Sequence, residues 1–329
     1  MKIAVVGATG LVGREMLTVL AERGFGDAEV IAAASPKSVG KEIDFAGRRL
    51  TVTSVDDAIA QRPQYAIFSA GAAASREYAP RFAAAGTTVI DNSSAWRKDP
   101  DIPLVVPEIN INAVKESDRI IANPNCSTIQ MVLAISALQR EYGIRRLVIA
   151  TYQSITGTGI KAVRQLEAEE QGITPTERAY VNPIHRNLFP HGGDFQSDGY
   201  TTEEQKLVDE TRKIFGDPSI QITATVVRVP VVGGHSEAVN VELRRDYDLD
   251  EVRRLIADTP GVILYDDPAT NRYPMPILSH HRDEVWVGRL RRDFSQPNSL
   301  NLWVVADNIR KGAATNAIQI MEGLLGDRR

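Results

Sequence analysis

The first thirteen residues, MKIAVVGATGLVG, constrain this chain more than any later stretch. A β-rich run over residues 2–6 breaks into Gly7, and helical spacing of apolar residues begins at Leu11. Gly7, Gly10 and Gly13 therefore fall at a strand-to-helix junction. Glycines there permit a tight turn and close approach of main chain to a pyrophosphate, and a helix N-terminus offers free N–H groups to phosphate. The spacing is GxxGxxG, a variant of the better-known dinucleotide fingerprint. On its own it leaves a purely structural turn open.

The residues beyond this turn alternate as such a unit needs. Helical patterns at 11–23, 56–61 and 75–85 separate short apolar runs at 29–34, 65–69, 87–91 and 104–107. That order predicts a parallel sheet with right-handed crossovers. After Pro124 an amphipathic helix is expected over 127–142. Beyond it the character changes to longer strands at 145–153, 221–229, 238–245, 284–290 and 301–306, several alternating apolar and polar as a sheet with one wet face does. Helices at 159–171, 203–215 and 249–257 interrupt them. The fold class expected is α/β: a Rossmann-like first domain, then an α+β second domain, with a last helix near 311–325 returning to the first. Residues 174–202 have weak periodicity and receive no assignment.

With 38 Lys+Arg against 42 Asp+Glu, the net charge is −4 and no basic block exists. That argues against a nucleic-acid partner and gives no reason to invoke a membrane surface. No apolar stretch approaches the 18 residues of a membrane span, and the N-terminal apolar run is too short for a signal h-region. A cytoplasmic protein is expected. One cysteine allows neither an internal disulfide nor a Cys-rich zinc site, and no His/Asp/Glu spacing suggests a metal.

Three places carry candidate chemistry. The second strand ends Ser35-Pro36-Lys37-Ser38, with Lys41 beyond, and lacks the acidic residue that holds a ribose 2′-OH. A cation and hydroxyls suit a 2′-phosphate better, although solvated loop lysines are equally open. Cys126, in Asn123-Pro124-Asn125-Cys126-Ser127-Thr128, stands at the mouth of the long helix. The helix dipole favours its thiolate, and nearby N–H groups suit an oxyanion; an inert core cysteine stays open. Among five histidines, His235 follows Gly233-Gly234, where the backbone is free to present a side chain to a cleft; an ordinary surface or core histidine stays open. His280-His281 reads as a solvated loop.

Together these stretches resemble the aspartate-semialdehyde dehydrogenases. The matches run in family order over nearly the whole chain: GATGLVG at 7–13, FSAG at 68–71, DNSSAWR at 91–97, LVVPEIN at 104–110, NPNCSTIQ at 123–130, TYQSITGTG at 151–159, RVPVVGGHSEAVNVE at 228–242 and WVVADNIRKGAA at 303–314. The resemblance implies an NADP-binding domain over 1–125, joined by residues 308–329, and a catalytic and dimerisation domain over 126–307. It implies reduction of L-aspartyl 4-phosphate by NADPH to L-aspartate 4-semialdehyde and phosphate, on the route to lysine (through diaminopimelate), threonine and methionine, by a homodimer. Cys126 matches the nucleophile and His235 the acid/base. Gln153 matches the residue orienting substrate, Arg228 the carboxylate-gripping guanidinium, and Glu203 the contact to the substrate amine. Arg97 and Lys206 match the phosphate-binding pair. Thr9, Gly10, Leu11, Val12, Lys37, Ser38, Thr156, Gly157 and Asn308 match NADP contacts. The N-acetyl-γ-glutamyl-phosphate reductases usually carry Gly before the cysteine, where this chain has Asn125. A non-catalytic paralogue would be marked by loss of Cys126, His235 or Arg228, and all three are present.

Overall fold

β1 (Lys2–Val6) leads straight into the glycine turn in the computed structural model, which describes residues 1–326. Gly7 has φ 88°, and a Cβ there would lie 2.4 Å from the Ser69 carbonyl oxygen; one on Gly13 would lie 2.1 Å from that of Gly7. Only glycine fits either position. α1 (Leu11–Leu20) then leads to β2 (Glu29–Ala33). Next comes a small hairpin, β3 (Glu42–Phe45) and β4 (Arg48–Thr51), turning on Ala46 and Gly47, both at positive φ. After it come α2 (Val55–Ala60), β5 (Tyr65–Phe68), α3 (Ala72–Ala84), β6 (Thr88–Asp91), the single turn α4 (Pro107–Asn110) and β7 (Ile120–Ala122).

The main strands pair in parallel in the order β2-β1-β5-β6-β7. Both faces are buried, which is why the strands read as unbroken apolar runs rather than alternating ones. One face packs Ile3, Val5 and Ile67 against Met16 and Leu20 of α1 and against Ile318 and Met321 of the C-terminal helix, Thr315–Gly326. The other packs Ala4, Val6 and Phe68 against Ala79 and Phe82 of α3. Residues 104–107 do not form the expected strand. Leu104 makes one isolated bridge to Ala122, and Pro107, lacking an N–H, opens α4 instead. The fifth strand is β7.

Contacts divide the chain into Met1–Asn125 with the segment from Ala313 onward, and Cys126–Gly312. The second crossing thus falls after Gly312 rather than at 307/308, because the turn after Asp307 closes on itself: Gly312 N–H donates to the Asp307 carbonyl. Of the 308–329 segment, residues 327–329 lie outside those described.

In the second unit, α5 (Cys126–Tyr142) precedes β8 (Ile144–Ser154), α6 (Ile160–Glu170), α7 (Thr202–Phe215), β9 (Gln221–Val229), β10 (His235–Leu243), α8 (Leu249–Ala257), β11 (Val262–Leu264), the short α9 (Pro276–Ser279), β12 (Val285–Arg292) and β13 (Ser299–Ala306). The sheet order is β11-β12-β13-β10-β8-β9, with antiparallel pairs at its centre and parallel pairs at both edges. Residues 174–200 carry no helix or strand of their own. α5 is not amphipathic. It is buried on all sides from Ser127 to Leu138, because the sheet lies under it and α7 and α8 pack on it as well. The opposite sheet face is left partly open, with Tyr152 and Trp303 rings 5.5 Å apart. Among the described residues no helix is long and apolar enough to cross a membrane.

α7 starts with a reciprocal cap. Thr201 Oγ1 accepts from Glu204 N–H, and Glu204 Oε2 accepts from Thr201 N–H at 2.7 Å; Glu204 Oε1 also accepts from Val226 N–H of β9 at 3.0 Å. This fixes the helix that carries Glu203 and Lys206. Thr201→Ala removes the hydroxyl acceptor and should lower the urea-unfolding free energy by about 1 kcal/mol. An unchanged midpoint and slope would show that the cap contributes nothing.

Candidate active site

Cys126 opens α5 and His235 opens β10, three residues earlier than the strand expected at 238. The imidazole is therefore part of the sheet and fully buried, not displayed from a loop. Its Nε2 lies 3.1 Å from Cys126 Sγ. Ser154, at the end of β8, donates its main-chain N–H to His235 Nδ1 at 3.0 Å. Nδ1 is thus an acceptor, so the neutral ring carries its proton on Nε2, facing the sulfur. Burial, and then the nearby Arg228 guanidinium, push the ring's pKa down to about 3, against a smaller opposing pull from Glu203. The imidazole is uncharged at neutral pH and can donate to sulfur or to an oxyanion beside it.

Around this pair the second unit gathers most of the residues that the sequence marks out. Gln153 on β8 and Arg228 on β9 are register partners and both are buried. Both ends of the Gln153 amide lack a protein partner. Arg228 Nη1 donates to the Ser154 carbonyl at 3.1 Å while its Nε has no acceptor. Gly157 lies against both cationic and imidazole groups: a Cβ there would be 3.3 Å from Arg228 Nη1 and 3.5 Å from the His235 ring. Asn308 Oδ1 accepts from Thr156 Oγ1 at 3.0 Å and from Gly234 N–H at 3.2 Å, tying the Thr156 turn to the one before His235. Glu203, buried, and Lys206, partly exposed, form an ion pair at 2.9 Å. They are one electrostatic unit rather than two independent contacts.

The first unit holds the others. Gly10 is exposed and Leu11 and Val12 half-buried at the start of α1, which has no side-chain cap. A Cβ on Gly10 would meet only the Gly7 carbonyl, at 3.4 Å. An uncapped N-terminus on a glycine turn fits the pyrophosphate of a dinucleotide. Thr9 Oγ1 and Ser38 Oγ are 3.5 Å apart, and Lys37 is exposed beside them in the turn after β2. Arg97 is buried, its Nη2 donating to the Asn92 carbonyl at 2.9 Å.

His281 is exposed in a turn, as a solvated loop would have it, whereas His280 is half-buried and paired. His280 Nδ1 is 3.1 Å from Asp307 Oδ2, which also accepts from His281 N–H at 2.8 Å. These three side chains bring possible ligand atoms within 4.8 Å of one another, a grouping that no linear spacing signals. Asp307 Oδ1 meanwhile accepts from Ile309 and Arg310 N–H. The carboxylate is thus a hub for the turns on either side of it.

Two participants escape the sequence. Ser154 acts through its main chain, which has no residue signature. Gly312 lies so close to Cys126 that a Cβ there would be 2.8 Å from the cysteine's own; its one sequence cue is its place in the RKGAA stretch.

Two family models match the chain: "Semialdehyde dehydrogenase, NAD binding domain" over residues 2–117 and "Semialdehyde dehydrogenase, dimerisation domain" over 135–311. The aspartate-semialdehyde dehydrogenase of Aquifex aeolicus is 48% identical over 98% of both chains. That of Legionella pneumophila is 48% identical over 98% of this chain and 95% of its own. The crystal structure of the Vibrio cholerae aspartate semialdehyde dehydrogenase II complexed with ASA superposes with a TM-score of 0.95, at 44% identity over 99% of this chain and 98% of that one.

The depressed pKa of His235 sets a sign for stability. From pH 6.5 down to about 3 the unfolded chain binds a proton that the folded ring does not. The contribution is full above pH 6.5 and is lost as pH falls, at up to ~1.4 kcal/mol per pH unit. His235→Asn should therefore show a shallower fall of unfolding free energy between pH 6.5 and 5 than the unsubstituted protein. Parallel pH slopes in urea titrations would contradict a neutral buried ring.

Proposed function

Because the chain belongs to the aspartate-semialdehyde dehydrogenase family, we propose that it reduces L-aspartyl 4-phosphate to L-aspartate 4-semialdehyde through a thioester on Cys126. The observation that carries this reading is the Sγ–Nε2 distance of 3.1 Å, with Nδ1 held by Ser154. The Nε2–H of His235 points at sulfur, and a thiolate is the form that accepts such a bond best. The Cys126 thiolate attacks the acyl phosphate carbon and phosphate departs. Bound NADPH supplies the hydride that reduces the thioester. Collapse of the resulting oxyanion expels the Cys126 thiolate and leaves the aldehyde, so no net proton is needed on the enzyme. His235 stands where the acid/base is expected. Its proton lies on Nε2, and full transfer would leave an imidazolate, so the ring stabilises the oxyanion by donating a hydrogen bond.

Arg228 grips the substrate α-carboxylate through paired N–H groups. Gln153 orients the acyl group, and Glu203 takes the ammonium. Arg97 and Lys206 hold the phosphate. Gly10, Leu11 and Val12 receive the pyrophosphate on main-chain N–H groups, with Thr9 beside them. Lys37 and Ser38 take the 2′-phosphate, and Thr156, Gly157 and Asn308 the nicotinamide end. The product feeds lysine, threonine and methionine synthesis in the cytoplasm. The enzyme works as a homodimer, for which the matched dimerisation model and the half-exposed Tyr152–Trp303 face speak; sedimentation at one chain mass at micromolar concentration would rule that out.

Three measurements test this reading. Cys126→Ala should fold normally and lose semialdehyde oxidation with phosphate and NADP to the assay floor. Retention of a tenth of the rate, only ~1.4 kcal/mol in barrier, would exclude a covalent role. NADP should exceed NAD in kcat/KM, and Lys37→Ala should narrow the gap; equal values in the parent enzyme would overturn the 2′-phosphate assignment. Arg228→Lys should raise the semialdehyde KM with little change for phosphate, and Arg97→Ala should do the reverse. If Arg228→Lys instead raises both KM values alike and melts many degrees earlier, Arg228 is a brace for its strand.

A further inference from the structure

Behind the Cys126–His235 pair lies a second buried group that the proposed reaction leaves unused. Glu237 is two residues along β10 from His235, on the same face of the strand, and has no solvent exposure. That face is covered by α5. Opposite Glu237 in register are Thr151 on β8 and Val304 on β13. From α5, Gln130 lies near it, one turn beyond Cys126 and itself fully buried. Neither carboxyl oxygen of Glu237 has an aligned hydrogen-bond donor, and Thr151 Oγ1 and Gln130 Oε1 are also without partners. Gln130 Nε2 gives one of its two N–H groups to the main-chain carbonyl of His235 at 3.2 Å, and the side chain lies close enough to Glu237 to act on its carboxyl.

A carboxylate in this place would be a buried anion with no cation beside it and at best one amide N–H, from Gln130, which proteins avoid. A carboxylic acid fits the same surroundings. It has one O–H to give, and Gln130 Oε1 is an acceptor in need of one. Its other oxygen can accept from the Thr151 hydroxyl. Three orphaned groups would thereby satisfy one another.

We propose that Glu237 is a positioning residue for the catalytic pair and works as a neutral acid: its O–H holds Gln130, whose amide holds the His235 carbonyl and so sets the imidazole against Cys126. The proposal rests on the reading that this pair performs the chemistry. Burial pushes the Glu237 carboxyl well above the ordinary carboxylate range, and the nearby Gln130 amide opposes this only in part; no charged side chain contributes. Neutrality also matters for the neighbour. An ionised Glu237 would raise the proton affinity of His235 and oppose the uncharged ring that the Ser154 N–H selects.

The test uses the full-length enzyme. The infrared difference spectrum of wild type minus Glu237→Gln at pH 7 should show the C=O stretch of a protonated carboxyl; carboxylate bands in its place would overturn the proposal. Glu237→Gln keeps the shape, a donor and an acceptor, so it should retain at least half of wild-type kcat. Glu237→Leu fills the same space with no hydrogen bond. It should lower kcat tenfold or more, with semialdehyde and phosphate KM values little changed, and should slow iodoacetamide alkylation of Cys126. Equal kcat and equal alkylation rates for the Gln and Leu variants would overturn the positioning role. The infrared and alkylation readings need no turnover. Should Cys126→Ala stay active, the catalytic reading fails by itself, and these two readings still decide for or against Glu237.

Discussion

A helix buried on every side has to satisfy its polar side chains inside the protein, and α5 carries several. Cys126, Ser127, Thr128 and Gln130 occupy its first turns, and the helix is enclosed by the sheet, α7 and α8. Its N-terminus cannot be moved without disturbing packing over most of the second unit. That immobility is what a 3.1 Å sulfur–nitrogen distance requires. The sheet answers from the other side with β8, β9 and β10, whose ends present Gln153, Ser154, Arg228 and His235 in adjacent registers. Helix and strand ends supply the side chains of the candidate site, which keeps them within hydrogen-bonding tolerance of one another.

The interior so formed gives its charges partners or leaves its groups uncharged. Arg228, Glu203 and Lys206 are polarised toward one another or toward carbonyls, whereas His235 and Glu237 are both disfavoured in their charged forms by burial. A low-dielectric site of this kind strengthens each hydrogen bond aimed at developing negative charge. Such a site also suits Gln153, a buried uncharged amide with unpaired donors and acceptors beside Ser154 and Arg228.

How much of this the sequence disclosed varies with the physical origin of each feature. β1, β2, β5 and β6 were legible because strands buried on both faces read as apolar runs, and α1 because glycines and helical spacing mark its start. β7 and β11 were not, since three-residue strands hold too few apolar positions to rise above a loop, and neither was the hairpin β3–β4, where Glu42, Asp44, Arg48 and Arg49 interrupt the apolar residues. α5 looked amphipathic because Gln130 and Ser136 are polar, yet both are enclosed; only tertiary packing decides that. Cys126 and His235 stood out by motif, but the Ser154 N–H that selects the histidine tautomer belongs to the backbone. The meeting of His280 with Asp307 joins residues far apart in the chain and has no local trace.

The return of the chain to the first unit has a consequence for its assembly. The first core is not complete within residues 1–125: Ala314, Ala317, Ile318, Ile320 and Met321 fill it, and Asn316 donates to Asn123 Oδ1 and to the Val105 carbonyl. Cys126–Gly312, by contrast, is continuous. On the ribosome the nucleotide-binding half is made before residues 126–312 but closes after them, holding an open apolar face until residues 314–321 have emerged. The half that bears the thiol is already complete by then, so order of synthesis and order of closure run in opposite directions.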